Sequence, residues 1–547
     1  MSENIKNYPR DILLIISTLL AAINLWQPPT PCLRQGKIYV SPQGSDWNLG
    51  NSPQRAVKTI QRAANMATPG EEVVILPGIY REDLRVRRGG RPNRPITFRA
   101  QQPGTVTITN AAPPQVTQYL TWRSHGNGLY STQTPWPIYY ALYNGSVLYD
   151  VRSGGVERLK TLVSQPNSYS AFTYDRETER FYLFLPHGEI PNNQKLVFHR
   201  EIRSPREWGN SRVANIWLEA QHLVFDGLRL ELGVGSGFLL WDSGYITIKN
   251  TLLTGAGTGI SASPHINAPS HLVVEYNLYH NYPQYNWLKN WLPWNEVYAH
   301  YSNSTLISAS SPNLVIRHNV VSHGGDALQI SPHLDKPGQN GANIYGNLLM
   351  YGTDDAIEMD GPAEKVHFHH NLVYDFEQNL GLSPVLTGPV LVENNRFLHP
   401  ASGVNGSQVK LLNPWYKPGS PNNQSPIQNI QIRNNTFVGR YLAYWGPPVK
   451  DVWVEENLFA VEGMKNPPWH PQVTVRNNKM ITLPQEYPNP GTNPQWFQGW
   501  SIPRPGPGWL QYEDHPATVD IHKVLSPDLF GGKNDGIFSI RIEKNTK

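Results

Sequence analysis

The chain is expected to fold as an all-β parallel solenoid, a coil of short strands stacked turn upon turn, and three observations carry that expectation. Between residues 213 and 480, strand-like phrases end in asparagine at Asn250, Asn277, Asn319, Asn347, Asn371, Asn395, Asn435, Asn457 and Asn478. The ordinary gaps between these asparagines run from 21 to 28 residues, the length of one solenoid coil. Within the phrases, apolar residues alternate with polar ones, the period-2 pattern of a half-buried strand. Composition agrees: only 16% of residues are charged, against 45 Gly and 48 Pro, so turns and strands should prevail over helices. At 547 residues the chain exceeds what one small core supports, a limit that stacked repeats escape.

Residues 1–36 are expected to be a signal peptide or an N-terminal anchor with a linker. Ile12–Trp26 is apolar, follows a polar start containing Lys6 and Arg10, and is short for a membrane span. No small-x-small pair precedes Gln27, so an uncleaved membrane anchor is the alternative to a cleaved leader. Either way the chain is expected to be secreted, periplasmic or at the cell surface. The single cysteine, Cys32, excludes an intrachain disulfide framework, which a large core tolerates.

Residues 37–110 should form an N-terminal cap and the first coils. Ser52 can cap a helix with Pro53 in its first turn, and Val57, Ile60, Ala64 and Ala67 keep helical spacing. Pro69-Gly70 ends that helix and Glu72–Leu76 resumes as a strand. A helix there would cover the open end of a solenoid. The stretch Val40-Ser41, Gly44, Asp46, Asn48, Gly50, then Lys58-Thr59-Ile60 and Ala63, then Pro77-Gly78-Ile79-Tyr80 resembles the cap of secreted proteins of the pectate-lyase-like superfamily. The resemblance implies a right-handed parallel β-helix with an N-terminal capping helix. It says little of activity, since lyases, hydrolases, epimerases and non-enzymes share the fold.

From 111 to 212 the repeat is lost and an inserted small β-domain is expected. Tyr139–Val151 holds two alternating runs around Asn144-Gly145, a strong hairpin signal, and Phe172–Leu185 reads as a second hairpin around a charged turn. The β-helix proper is expected over 213–480, interrupted where the asparagine gaps lengthen to 42 and 40 residues. The first interruption, loop 279–311, contains Trp287, Trp291 and Trp294; the second, loop 400–425, is rich in Gly, Pro and Asn. The Pro-rich C-terminal extension, 481–547, is expected to lie along the stack.

Chemistry is expected in the forty residues Ser322–Gly361, which repeat one phrase: Gly325-Asp326-Ala327-Leu328-Gln329-Ile330-Ser331 and Asp354-Asp355-Ala356-Ile357-Glu358-Met359-Asp360. Asp326 and Asp355 are 29 residues apart, about one coil. Leu328, Ile330, Ile357 and Met359 should point inward, leaving Gln329, Ser331, Glu358 and Asp360 on one outer face. A solenoid has little structural use for so many carboxylates, so Asp326, Asp355, Glu358 and Asp360 are the candidate catalytic residues. Adjacent coils about 4.8 Å apart can bring carboxyls to the ~5 Å of retaining glycosidases, or diagonally to the ~6.5–9.5 Å of inverting ones. Repulsion among the Asp355 group should keep one of them protonated, leaving Asp326 or Asp355 as nucleophile or base. Asp326, Asp354 and Asp355 are loosely similar to the acids of polygalacturonases, but that family's Gly-His-Gly and Arg-Ile-Lys motifs are missing here, which puts pectin in doubt as the substrate.

Candidate substrate-binding residues are Gln329, His265, His333, Trp291 and Trp294. The tryptophans are chosen because aromatic faces stack on sugar rings, although they can equally pack on one another within the loop. The expected partner is a polysaccharide or oligosaccharide bound by a monomer. No Lys/Arg run stands out at a net charge of +4, so nucleic acid is not expected. Glycoside hydrolysis is the leading expectation. The alternatives are a lyase or epimerase acting on a uronate glycan, with Lys289, Lys365, His323 or His333 as base, and a non-catalytic glycan-binding surface protein. No cofactor or metal site is expected for a hydrolase, whereas a lyase would use Ca²⁺ through the same acids. His367 and His369 have metal-type spacing, with a solvated strand face as the stronger reading.

Overall fold

The computed structural model describes residues 36–482 apart from 145, 152–153, 164–169, 202–213, 233–234, 256, 263–269, 281–304, 323, 331–338, 351, 353, 360, 375, 399–406, 412–425, 442, 446–448 and 464–470. Expectations for 1–35 and 483–547 therefore lie outside the described residues. None of the described helices is long and apolar enough to cross a membrane.

Three parallel sheets form the walls of a β-helix and are called here faces A, B and C, with thirteen, twelve and ten strands. One coil runs from a face C strand to face A, through a tight corner to face B, and on to the next face C strand. Coil 314–330 shows the pattern: Leu314–Arg317 on face A, Val320–Ser322 on face B, Leu328–Ile330 on face C. Alternation decides which side chains go inside. Leu314 and Ile316, Ala342 and Ile344, and Val366 and Phe368 are buried in one continuous core with Leu328, Ile330, Ile357 and Met359. Phe397, Phe437 and Phe459 occupy register-matched positions on face B, with stacked rings 4.7 and 4.9 Å apart.

The corner between faces A and B is the asparagine ladder. The Asn319 backbone N–H and Nδ2 each donate to Asn347 Oδ1 at 3.0 Å, and the pattern repeats from Asn347 to Asn371, Asn395, Asn435, Asn457 and Asn478. The remaining amide hydrogens reach backbone carbonyls, as from Asn347 Nδ2 to Ile316 and Tyr345. Residues ahead of each asparagine, such as Tyr276, His318, Gly346 and His370, sit at positive φ between 52° and 64° and make the corner sharp. Asn250 is not in the ladder. Thr251 takes that place, donating its N–H to Asn277 Oδ1, while Asn250 is the positive-φ residue before it and bonds Asp226 instead.

At the N-terminal end the expected single helix is two pieces. Ser52 caps a 3₁₀ turn, Pro53–Arg55, and Thr59 caps a helix, Ile60–Met66, with Glu82 accepting from the N–H groups of Ile60 and Gln61. The break at Ala56–Thr59 arises because Val57 pairs with Tyr39 and Ser41 through its backbone, and Asp46 accepts from Lys58 and Thr59. Ile60, Ala63 and Ala64 bury against the first coils.

Residues 111–200 depart from the stack and return without skipping a coil. Leu84–Val86 pairs directly with Ile216–Leu218, Ile96–Arg99 with Leu223–Asp226, and Thr107–Thr109 with Arg229–Glu231. The departing segment forms a five-stranded and a three-stranded sheet with hydrophobic clusters around Phe172, Phe181 and Phe198 and around Leu159 and Phe184. Both hairpins read from the sequence are there: Ala141–Tyr143 with Ser146–Val147, and Ala171–Asp175 with Arg180–Phe184. The helix Gly155–Val163 was not foreseen; it packs beside Ala171–Asp175.

Candidate functional site

Connector length singles out face C. The A-to-B corner takes two residues, as at His318–Asn319, whereas the connectors 281–304, 399–406 and 412–425 all enter or leave face C. Long connectors joining the strands of a rigid scaffold are where function concentrates.

Across face C, Gln329 pairs in register with Glu358, Glu358 with Gly381, and Gly381 with Lys410. All four lie at outward positions between inward apolar neighbours. Glu358 is half-buried, Gln329 is 5% exposed, and the Lys410 side chain is 22% exposed. Asp326 and Asp355 lead into the strands as expected. They do not line an open groove, however: they are 2% and 0% exposed. Their carboxyls fold under the face, where three of their four oxygens find partners. Asp326 Oδ1 accepts from the Asp355 N–H at 3.0 Å and its Oδ2 from Gln329 Nε2 at 2.7 Å. Gln329 Nε2 also donates to Glu358 Oε2 at 3.1 Å, so one amide bridges carboxylates of two coils.

Lys410, two coils on from Glu358, reaches back to Asp355 Oδ2 at 2.7 Å. Gly381 makes this contact possible. A Cβ on Gly381 would lie 2.3 Å from Asp355 Oδ2 and 2.6 Å from its Cγ, so any side chain there would displace the carboxylate. Asp355 Oδ1 is buried with no hydrogen-bond partner among the described residues. One oxygen each from Asp326, Asp355 and Glu358 lie within 4.8 Å of one another, a spacing that can hold a cation.

Burial pushes Asp326 well above the usual carboxylate range, and the neighbouring charges of Glu358 and Asp355 push it further, against its hydrogen bonds from Gln329 and the Asp355 N–H. Burial also raises Asp355, but the Lys410 ammonium opposes the rise. Burial alone would lower Lys410; Asp355, Asp354 and Glu358 overcome it and hold Lys410 charged. Of the two buried aspartates, Asp326 is the one driven further toward keeping its proton, since no cation opposes the rise there. The lone acid of its phrase is buried among carboxylates of the next coil, and linear separation hides that proximity.

Asp360, His265, His333, Trp291 and Trp294, with His323 and Lys289, lie outside the described residues. Lys365 is exposed on the face A strand Ala363–His369, so it cannot serve as a base for face C. His367 and His369 share that strand: His367 Nε2 is 2.8 Å from Glu393 and His369 Nε2 2.8 Å from Asn343, in line with a surface strand face. Lys410 and Gly381 were missed. Lys410 was legible in part, since Val409-Lys410-Leu411 alternates and puts the lysine outside; its partner, 55 residues earlier, was not.

No protein-family profile matches the chain. A 72-residue stretch is 39% identical to the uncharacterized protein YwoF of Bacillus subtilis, covering 13% of this chain and 15% of that one. Among solved structures, a GH136 lacto-N-biosidase from Eubacterium ramulus is similar over 87% of this chain and 72% of its own, at 14% identity and a TM-score of 0.41. The pectate lyase Pel9A is similar over 81% of this chain and 78% of its own, at 13% identity and a TM-score of 0.33.

Proposed function

We propose that this β-helix is a carbohydrate-active enzyme, a glycoside hydrolase whose substrate lies across face C at Glu358. The observation that carries the proposal is the convergence of three carboxylates from two adjacent coils, in unlike environments, with a lysine from a third strand. Neighbouring carboxyls whose surroundings drive their proton affinities apart are the arrangement acid–base chemistry requires. Glu358 is the member half-open to solvent; it gives its proton to the glycosidic oxygen as the bond from that oxygen to the anomeric carbon breaks, and its carboxylate then takes a proton from the water that adds to that carbon. Asp326 and Gln329 orient it through the shared amide. Asp355, paired with Lys410, is fixed negative charge behind the reacting carbon, where positive charge develops.

A second reading, uronate elimination or epimerisation, has its own support. Asp355 Oδ1 is buried and partnerless beside two other carboxylate oxygens. Those donors fit a hard cation such as Ca²⁺, which would be held by Asp326, Asp355 and Glu358 and would neutralise a substrate carboxylate. Incubation with a panel of neutral and uronate polysaccharides separates the readings. New reducing ends without unsaturated uronate absorbance are expected. Absorbance that vanishes with EDTA and returns with calcium establishes the second reading, and retention without products overturns both.

A further inference from the structure

Charge is spread unevenly along this molecule. Residues 37–100 hold eleven Lys and Arg against five Asp and Glu, a net +6 where the whole chain carries +4. Between residues 84 and 100 there are six arginines and no acid. These arginines form no unbroken run in the sequence, but the fold brings Arg88, Arg91 and Arg94 beside the other bases of the cap, at the N-terminal pole of the stack. That pole is the free edge of face A, Lys37–Val40, covered by the helix Ile60–Met66.

Acids and bases of this pole are used differently. Asp46 accepts from the N–H groups of Lys58 and Thr59 at 2.9 Å, Glu71 from Thr68 and Glu82 from Ile60 and Gln61, while Glu72 pairs with Arg99 and Lys37. The acids are thus committed within the cap. Arg55, Lys58, Arg62, Arg88, Arg91 and Arg94 are all exposed, and none of them is in an ion pair among the described residues. Arg88 donates to the carbonyl of Asn65 near the end of the helix, and Arg94 lies against the Pro69-Gly70 turn, its Nε 3.0 Å from where a Cβ on Gly70 would be. Arg91 closes the same loop through backbone bonds with Arg94. Near the start of the helix, the loop held by Asp46 carries Trp47, 96% exposed, with Leu49 also exposed two residues on. Unpaired cations beside an indole left in water serve no contact within the described chain and match a partner with an anionic surface over an apolar interior.

We infer that the N-terminal pole is a membrane-docking surface, with its arginines on the anionic phosphates of lipid headgroups and Trp47 and Leu49 at the edge of the hydrocarbon. Guanidinium forks match phosphate, basic clusters near a membrane are drawn to anionic leaflets, and tryptophan concentrates at that interface. The occupant follows from where the chain enters the stack. Ten residue steps lead from Trp26, the end of the apolar segment Ile12–Trp26, to Gly36 at this pole, a reach of at most about 35 Å. The far end of face A lies twelve strands from Lys37–Val40, roughly 58 Å at about 4.8 Å per step. With Ile12–Trp26 retained as an anchor, the N-terminal pole is therefore the end held at the bilayer. Face C then rises away from the membrane, with Ile357–Met359 six strands beyond Leu84–Val86, roughly 29 Å at about 4.8 Å per step. The inference is independent of the chemistry proposed at Glu358.

The test titrates the full chain with vesicles of phosphatidylcholine alone and of phosphatidylcholine with about 30% phosphatidylglycerol. Comparing the two cancels what the apolar segment adds to both. The native chain should prefer the anionic vesicles by roughly a hundredfold or more at about 0.05 M salt, and lose that preference near 0.5 M. Arg62→Gln, Arg91→Gln and Arg94→Gln combined should lower the preference about fivefold for each charge removed. Trp47→Ala should weaken binding to both vesicle types, and native melting temperatures show that both variants fold. A preference untouched in the triple variant, one that survives high salt, or native binding by Trp47→Ala overturns the docking surface. If the triple variant instead loses binding to soluble polygalacturonate while its vesicle preference stands, the arginines serve an acidic glycan and the inference falls.

Discussion

Two stacks of buried polar side chains run up this solenoid, and they are built on opposite principles. At the A-to-B corner, each asparagine both donates and accepts, so its Oδ1 takes two N–H donors from one neighbour while its Nδ2 serves the other. The motif closes on itself and can repeat for any number of coils. At the entrance to face C, the stacked residues are Asp326 and Asp355, which when ionised can only accept. Their stack lasts two coils and leaves Asp355 Oδ1 without a partner among the described residues, with Lys410 brought in from a distant strand to hold the other oxygen. The corner is a self-satisfying stack, whereas the pair of aspartates depends on groups from other strands.

Removing Lys410 should break this contrast most severely. Lys410→Met leaves Asp355 buried and unpaired, at a cost of about 3–5 kcal/mol. Chemical denaturation should show that loss, and the double variant with Asp355→Asn should recover most of it. If Lys410→Met alone is neutral, the ion pair is not what holds Asp355 in place.

Glu358→Gln comes next. Half-open and on the face, Glu358 should be dispensable for folding but not for turnover. On a polysaccharide identified in the panel, rates should fall roughly a hundredfold or more with the melting temperature unchanged. Full activity in that variant would move the chemistry elsewhere.

The ladder side of the comparison is sharpened by Asn371→Ala. It removes bonds to Asn395, Ile344 and His369 and takes the acceptor from Asn347, so stability should drop on the order of 1–3 kcal/mol with activity per folded molecule retained. A loss below about 0.5 kcal/mol would mean that the ladder is ornament to the core.

The smallest effect is expected from Asp326→Asn, and its sign depends on pH. Because the folded carboxyl is raised above its unfolded value, the native aspartate contributes stability fully present below the unfolded pKa of about 3.9 and lost as pH rises through the folded pKa. Asparagine has no such dependence. Melting curves across pH should therefore show the variant equal to or more stable than the native chain at neutral pH, with its advantage shrinking toward pH 4. An advantage that grows on acidification would contradict a raised Asp326.

Much of this molecule was decided locally and could be read from the chain. Alternation in Leu328-Gln329-Ile330 and Ile357-Glu358-Met359 assigns inside and outside whatever the neighbours are, because a strand has only two sides. The asparagine period reports the coil because each ladder bond needs the same residue at the same corner, although Asn250 shows that the period misplaces a member by one residue when Thr251 serves as donor. The hairpin at Asn144 was legible because its turn needs positive φ, which asparagine takes readily and Asn144 adopts. What the chain could not disclose was depth and distance. Whether Asp326 lies in a groove or beneath it depends on Gln329, the Asp355 N–H and Glu358, the last two of which arrive a coil later. Lys410 joins Asp355 only because two intervening connectors return the chain to face C and Gly381 between them has no side chain. Residue identity and period set which side of the sheet each group occupies; burial, and with it proton affinity, belongs to groups brought together from separate coils.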